Sequence, residues 1–307
     1  MKKFKKILGV LYALIILCLA IYYILDQNGY IKKSYAKEDT VVVDNSSNLK
    51  IYYMDVGEAD SILITVDNEA MLIDAGNNND DVSSYIRSLG IKKIDYVIGT
   101  HAHEDHIGGM DDVINNFDIG KFYMPSAITT TSTFEDVLDA LENKKVRFNT
   151  PGVGDTINMG NALFEVLSVD GGNNLNDSSI ILKLTYGKLS YLFMGDLSSS
   201  VEKKLIDRGT DIKADVIKIG HHGAKSSTSK KFLDIVNPKY AIISVGDNNN
   251  YGHPHKELLS RLDKQGIITY RTDYNSTIIL ISDGENINIT SVKTNINGDK
   301  DVNSGKY

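Results

Sequence analysis

The sequence predicts an α/β fold in which two mixed sheets pack face to face with helices on their outer surfaces, a four-layer αββα sandwich. Three observations carry this expectation. Short β-type runs fall in two series, 50–101 and 162–284, with helical patterns set between their members. The chain has 307 residues, 42% hydrophobic and 24% charged, which is a globular composition with length enough for a large core. No repeat of fixed period is visible, so a solenoid is excluded.

The first element is not part of that sandwich. Positions 7–25, ILGVLYALIILCLAIYYIL, are uncharged and follow the lysine-rich MKKFKK, a run long enough to span a bilayer as a helix. Lysines on its N-terminal side favour an N-terminus in the cytoplasm and the remainder outside. Ser34-Tyr35-Ala36 offers small residues for signal cleavage, but its distance from the apolar run favours an uncleaved anchor. A lipoprotein is excluded because Leu17 precedes Cys18. Residues 1–25 are therefore read as a signal anchor or signal peptide that places the protein at the membrane, extracytoplasmic. Residues 26–48 are polar and read as a linker, 49–293 as the folded domain, and 294–307 as a disordered tail.

Within the domain, the first series is KIYYMDV (50–56), SILITV (61–66), AMLIDAG (70–76) and DYVIGTH (95–101). Val82, Tyr85, Ile86 and Leu89 share one helical face, as do Phe134, Val137, Leu138 and Leu141. The second series is ALFEVLSV (162–169), SIILKLTY (179–186), LSYLFMGD (189–196), DVIKIGHH (215–222), YAIISVG (240–246), IITYRTD (267–273) and TIILISDG (277–284). Helical patterns at 201–208, 230–236 and 256–264 lie between its members.

Charge and cysteine content narrow the chemistry. The net charge is −7, and setting aside residues 1–36, with six lysines and Asp26, leaves a body at −12. Such a body has no diffuse cationic field, so a polyanion would be held by a local patch or by metal ions. This counts against a high-affinity DNA binder, not against a nuclease. Cys18 is the single cysteine, so any metal site must be built from His, Asp and Glu.

All seven histidines fall in three places: His101, His103 and His106; His221 and His222; His253 and His255. In THAHEDHIGG (100–109) a strand ends directly before His-x-His-x-Asp-His, which sends four ligand-type side chains from one loop. Imidazoles and a carboxylate suit zinc, manganese or iron. Gly108 and Gly109 are expected to let the backbone turn tightly into a helix near Asp111. Asp196 and the His221-His222 doublet also end apolar strands, so the three groups are expected to share one edge, where Asp196 could bridge two ions.

The order His101, His103, Asp105, His106, then Asp196, then the doublet resembles the metallo-β-lactamase superfamily, and within it the ComEC type of competence protein. The similarity rests on MDVGEADSILI, MLIDAG, THAHEDHIGG, NDSSIILKLTYGKLSYLFMGD, ADVIKIGHHGAKSS, PKYAIISVG, YGHP and YRTD. It covers only the hydrolase-like part of those proteins and carries no expectation of transport. It implies a metallo-β-lactamase-like sandwich holding one or two divalent ions, zinc or manganese. One position would use His101, His103 and Asp196. The other would use Asp105, His106, Asp196 and one of His221 and His222, with His222 favoured; Asp105 and His222 would be catalytic. No histidine lies between His106 and Asp196, so the first position is expected to bind more weakly, with Asp177 or water as a supplementary ligand and with Asn176 and Asp177 of the NDSS segment as candidate substrate contacts. Glu58-Ala59 stands where the family often has Gln-Gly, and Ala224 where it often has Ser.

Two such ions lower the pKa of a shared water and neutralise charge on a substrate oxygen. For a phosphodiester, Lys225, Ser226, Ser227 and His253 are candidates to hold non-bridging oxygens, while Ser226 and Ser227 are also candidate caps for the helix at 230–236. Asp55, Asp60 and Asp74 are expected to hold loops around the site. The expected activity is an extracytoplasmic phosphodiesterase or DNA nuclease. The alternatives are an esterase acting on the phosphorylcholine of teichoic acids, or a membrane-tethered binding protein without turnover. The substrate, DNA or a cell-wall polymer, and the membrane are the expected partners; no protein partner is predicted.

Overall fold

The computed structural model describes residues 48–127 and 129–297. The apolar run at 7–25 and the linker before Asn48 lie outside the described residues, and among those described no helix is long and apolar enough to cross a membrane.

In chain order the first half contains β1 (Leu49–Tyr53), β2 (Ser61–Val66), β3 (Glu69–Ala75), α1 (Val82–Ser88), β4 (Lys93–Ile98), α2 (Glu104–Ile107), α3 (Met110–Asn116), β5 (Asp118–Tyr123), α4 (Ser132–Lys144) and β6 (Phe148–Asn149). The second contains β7 (Thr156–Met159), β8 (Ala162–Ser168), β9 (Ile181–Tyr186), β10 (Leu189–Phe193), α5 (Ser199–Asp207), β11 (Val216–Lys218), α6 (Lys230–Val236), β12 (Tyr240–Ile243), α7 (Lys256–Lys264) and β13 (Ile268–Arg271). The short α8 (Thr272–Asn275), β14 (Thr277–Ser282) and β15 (Ile287–Val292) follow.

The strands form an eight-stranded sheet, β15-β14-β1-β2-β3-β4-β5-β6, and a seven-stranded sheet, β13-β12-β11-β10-β9-β8-β7. Each is mixed: β3 to β6 and β10 to β13 are parallel, whereas β1 and β2 or β8 and β9 pair as antiparallel hairpin neighbours. Asp67 and Asn68 both take positive φ between β2 and β3, as a tight hairpin requires, and Asp and Asn tolerate that region better than most residues. The parallel halves need helical crossovers, which α1, α3 and α4 supply for one sheet and α5, α6 and α7 for the other.

Three apolar clusters make the layers visible. Ile51, Ile62, Met71 and Ile98 meet Phe164, Leu182, Tyr191, Val216 and Ile242 between the sheets. On the opposite face of the first sheet, Leu63, Leu72 and Val97 pack on Ile86, Val113, Phe134, Val137 and Leu141. On the outer face of the second, Leu192, Ile217 and Ile243 pack on Val201, Leu205, Phe232, Leu233, Leu258 and Leu262. Strands covered on both faces read as continuous apolar runs, which is why SILITV and SIILKLTY stand out in the sequence.

The structure corrects several expectations. The TIILISDG strand, β14, does not extend the second sheet; it pairs antiparallel with β1, and Ile278 and Leu280 are fully buried in the inter-sheet core. Gly108 and Gly109 lie, as expected, at the turn into the helix that begins at Met110, but with negative φ, so it is close approach that requires them. A β-carbon on Gly108 would lie 2.4 Å from the Asn78 amide nitrogen, and one on Gly109 2.6 Å from the Ala75 carbonyl oxygen; glycine allows α2 and α3 to press against the loop after β3. Helix α6 is capped by Ser229, which accepts from Phe232 N, rather than by Ser226 or Ser227. Ile296 and Asn297, assigned to the tail, are buried against the domain, where Ile296 O accepts from Asp81 N (2.8 Å).

Candidate metal centre

The C-terminal ends of the central strands converge on one edge. Asp74 stands at the end of β3, His101 to His106 follow β4, Asp196 follows β10, His221 and His222 follow β11, and Ser244 follows β12. The site therefore straddles both sheets, as open α/β architectures place ligands beyond strand termini. Asp74, His221 and His222 hold φ values of 58°, 51° and 49°, a left-handed conformation that non-glycine residues keep at a cost of order 1–3 kcal/mol each. Glycines flank the doublet at positions 220 and 223.

Two groups of ligand atoms result. Asp105, His106, Asp196 and His222 bring one ligand atom each within 4.8 Å of one another. His106 Nε2 lies 3.3 Å from Asp196 Oδ1 and 3.6 Å from Asp105 Oδ2; His222 Nε2 lies 3.2 Å from Asp105 Oδ2 and 3.8 Å from Asp196 Oδ2. Beside this group, His101 Nε2 and His103 Nδ1 are 3.0 Å apart. Nitrogens bound to one tetrahedral zinc at 2.0–2.1 Å sit about 3.3 Å apart, so this spacing suits a shared ion. His106 Nε2 and Asp196 Oδ1 are buried without a hydrogen-bond partner. They form an ion pair at 3.3 Å but no well-aligned hydrogen bond, and a divalent cation between them would engage both.

A second layer fixes which nitrogen faces the centre. Asp74 Oδ2 accepts from His106 Nδ1 (2.8 Å) and from Thr100 Oγ1 (2.7 Å), and its Oδ1 accepts from Thr100 N (2.7 Å). Thr100 Oγ1, having given its proton to Asp74, is left to accept from His101 Nδ1 at 3.2 Å. One carboxylate thus directs Nε2 of both His101 and His106 inward. His222 Nδ1 donates to Ser244 O (3.1 Å), which frees its Nε2 in the same way. Asp60 Oδ1 lies 3.6 Å behind His222, and Asp60 Oδ2 accepts from the buried Lys218 Nζ (2.9 Å). Asp60, Asp74 and His106 also bring ligand atoms within 4.8 Å, but Thr100, His106 and Lys218 already engage those carboxylates, so they form the supporting layer.

The charges follow from this crowding. Burial favours neutral His106, but Asp196, Asp105 and Asp74 outweigh it and hold its pKa well above the ordinary value. Burial likewise opposes protonation of His222, yet Asp196, the hydrogen bond to Asp105 and Asp60 raise it to about 9. Burial alone would raise the Asp105 and Asp196 carboxyls; the imidazoles of His106 and His222 reverse this and hold both well below the carboxylate range. His101, buried and beside His106, is pushed down, so its ring is neutral as a metal ligand must be. The carboxylates of this centre hold protons on two imidazoles that a cation would displace.

The remaining expected site residues separate into two sets. His221 reaches the rim, with Nε2 3.6 Å from Asp196 Oδ2, and of the doublet His222 enters the ligand group. His253 is drawn in from a distant loop: its Nδ1 donates to Glu58 Oε1 (2.7 Å), and its ring lies 5.7 Å from that of His221. Asp177 turns away from the ligand groups. Its carboxylate accepts from Ser198 N (3.0 Å) and Asn174 Nδ2 (3.1 Å), tying its loop to the start of α5. Asn176 contributes its carbonyl oxygen to Ser179 Oγ (2.6 Å). Lys225 and Ser226 are exposed; their backbone atoms bond to His255 and Ser199. Sequence reasoning missed Lys218, Thr100 and the role of Glu58. The signal for Lys218 was a charge inside the otherwise apolar VIKIG strand.

The comparisons with known proteins agree with this geometry. Residues 54–247 match the model of the metallo-beta-lactamase superfamily. The chain is 32% identical over 255 residues to ComE operon protein 3 of Bacillus subtilis and 28% identical over 243 residues to competence protein ComA of Neisseria gonorrhoeae. These alignments take in 76% and 77% of this chain but only 33% and 32% of those proteins, so the chain spans about a third of the length of the curated relatives it matches. Among solved structures, the metallo hydrolase Igni18 of Ignicoccus hospitalis superposes with a TM-score of 0.51 at 15% identity, over 75% of this chain and 98% of that one. The metallo-beta-lactamase fold protein YhfI of Bacillus subtilis gives 0.50 at 11% identity, over 73% and 95%. Strand order, layered core and the matched residues lead to one assignment: the chain belongs to the metallo-β-lactamase superfamily.

Proposed function

We propose that this metal-dependent hydrolase cleaves phosphodiester bonds, with DNA as the substrate class, on the outer side of the membrane. The observation that carries the reading is the convergence of Asp105, His106, Asp196 and His222 within 4.8 Å, with His106 Nε2 and Asp196 Oδ1 buried 3.3 Å apart without a well-formed hydrogen bond. Similarity to proteins named for competence supports nucleic acid over other esters. The apolar run at 7–25 supports placement at the membrane.

His101 with His103, and Asp105 with His106 and His222, would hold the ions together with Asp196. Bound there, divalent ions supply a water nucleophile near neutral pH and neutralise charge on the phosphoryl oxygens. Asp105, whose side chain is 33% exposed against 2% for Asp196, stands at the opening, where its carboxylate would orient a water nucleophile. Asp74 and Ser244 hold the imidazoles in the required tautomer. With a body at −12, the ions themselves offset repulsion of the anionic strand.

The test is the purified protein, chelator-stripped and reloaded separately with manganese and zinc, assayed on single-stranded DNA, double-stranded DNA and p-nitrophenyl phosphorylcholine. Cleavage of DNA that disappears in His103→Ala is the expected result. Activity confined to the choline ester would move the protein to cell-wall chemistry, and silence on all three with no bound metal would leave a binding protein.

A further inference from the structure

The loop between β12 and α7 carries an exposed aromatic ring that the metal chemistry does not use. Tyr251 is 70% exposed, yet it is built in. Asn249 Oδ1 accepts from Tyr251 N (3.1 Å) and His253 N (3.0 Å), while its Nδ2 donates to Gly246 O (3.0 Å) and His253 O (2.7 Å). Glu58 clamps the same loop at both ends, accepting from Gly246 N (2.9 Å) and His253 Nδ1 (2.7 Å). The Tyr251 ring lies nearly parallel to His253, at 15° with centroids 5.6 Å apart, and His253 in turn lies 6.3 Å and 29° from His222. The rings of His222, His253 and Tyr251 therefore step from the candidate metal centre out to solvent, the outer pair nearly parallel. The other strongly exposed tyrosine near this end, Tyr274, differs: the Arg271 guanidinium covers its face at 4.0 Å.

We propose that Tyr251, backed by His253, is a stacking platform for a nucleobase of a single-stranded substrate, placing the adjoining phosphodiester at the metal centre. For its substrate class this rests on the phosphodiesterase reading above. The exposed flat face of Tyr251 fits a planar base; His221 and His255 stand edge-on to His253, so a quaternary ammonium group is the competing occupant that the experiment separates. Stacking also suits an acidic body, because it holds a strand without a cationic groove and with little sequence preference. Glu58 holds the stack in place through His253, whose Nδ1 donates to its Oε1 at 2.7 Å.

The experiment compares equilibrium binding of the metal-loaded full chain to a short phosphorothioate-linked oligothymidylate and to an abasic strand of the same length and linkage. The wild type should prefer the base-bearing strand by about five- to 150-fold, the range expected for one stacked base. Tyr251→Ala should remove most of that preference while leaving affinity for the abasic strand in place, and Tyr251→Trp should keep it. Equal binding of both strands by the wild type, or a preference that survives in Tyr251→Ala, overturns the proposal. So does binding of phosphorylcholine that depends on Tyr251 in the absence of any base preference. A Tyr251-dependent preference without DNA hydrolysis would support the platform and sink the nuclease reading alone.

Discussion

Asp74 shows how much one buried carboxylate controls at the residue scale. Its oxygens engage Thr100 and His106, and through Thr100 Oγ1 it also sets the ring of His101. Asp74→Asn is the informative variant, because asparagine tolerates the φ of 58° while losing the charge and one acceptor. It should lower metal affinity by about 10–100-fold, the range for such supporting groups, in a chelator-competition titration. Unchanged affinity would mean that His101 and His106 are oriented by the backbone alone. His103→Ala and Asp196→Ala remove ligands themselves and should abolish hydrolysis while the far-ultraviolet circular dichroism is kept; wild-type rates in either would contradict a two-ion site.

At the scale of elements, the loop from β4 to α3 works only if α2 sits close to the loop after β3. Gly108→Ala puts a methyl group 2.4 Å from the backbone of Asn78, so helix and loop must separate. It should cost about 1–3 kcal/mol, as overpacking does, and appear as a lower thermal midpoint together with reduced metal content. A midpoint equal to wild type would show that the contact is slack. The sequence made long, doubly covered strands legible because both faces are apolar, as in β2 and β9. It did not reveal β5 or β15, six residues each but largely uncovered, nor β6, with two residues, nor β7, an edge strand whose burial alternates over four. Nor did it show that β14 closes back onto β1, since such a long-range pairing leaves no mark in local pattern.

Across the whole molecule, the centre exists because two sheets bring strand ends together, and this shaped what could be read in advance. His-x-His-x-Asp-His was evident because its residues share one loop, as was the doublet at a strand end. The Glu58 to His253 contact spans 195 positions and became visible only in the fold. Asp177 looked available as a ligand but serves Ser198, because a carboxylate near a helix start finds free amides there first. The assembled charges also give a pH dependence. His222 moves from an ordinary value of 6.5 to about 9 in the metal-free protein, so the stability it contributes is present below about pH 6.5 and is lost as pH rises through 9. Metal binding requires the unprotonated ring, so the rise in thermal midpoint on adding metal should grow between pH 6.5 and 9. A metal-induced shift that stays constant over that window would argue against His222 as a ligand.

The most direct measurement is the rate of single-stranded DNA hydrolysis by chelator-stripped protein before and after reloading with manganese or zinc, with Asp196→Ala alongside and metal content determined on each sample. Two-ion hydrolysis predicts no cleavage when stripped, recovery that tracks bound metal, and none in Asp196→Ala. Full activity in the stripped protein, or in Asp196→Ala, would contradict it.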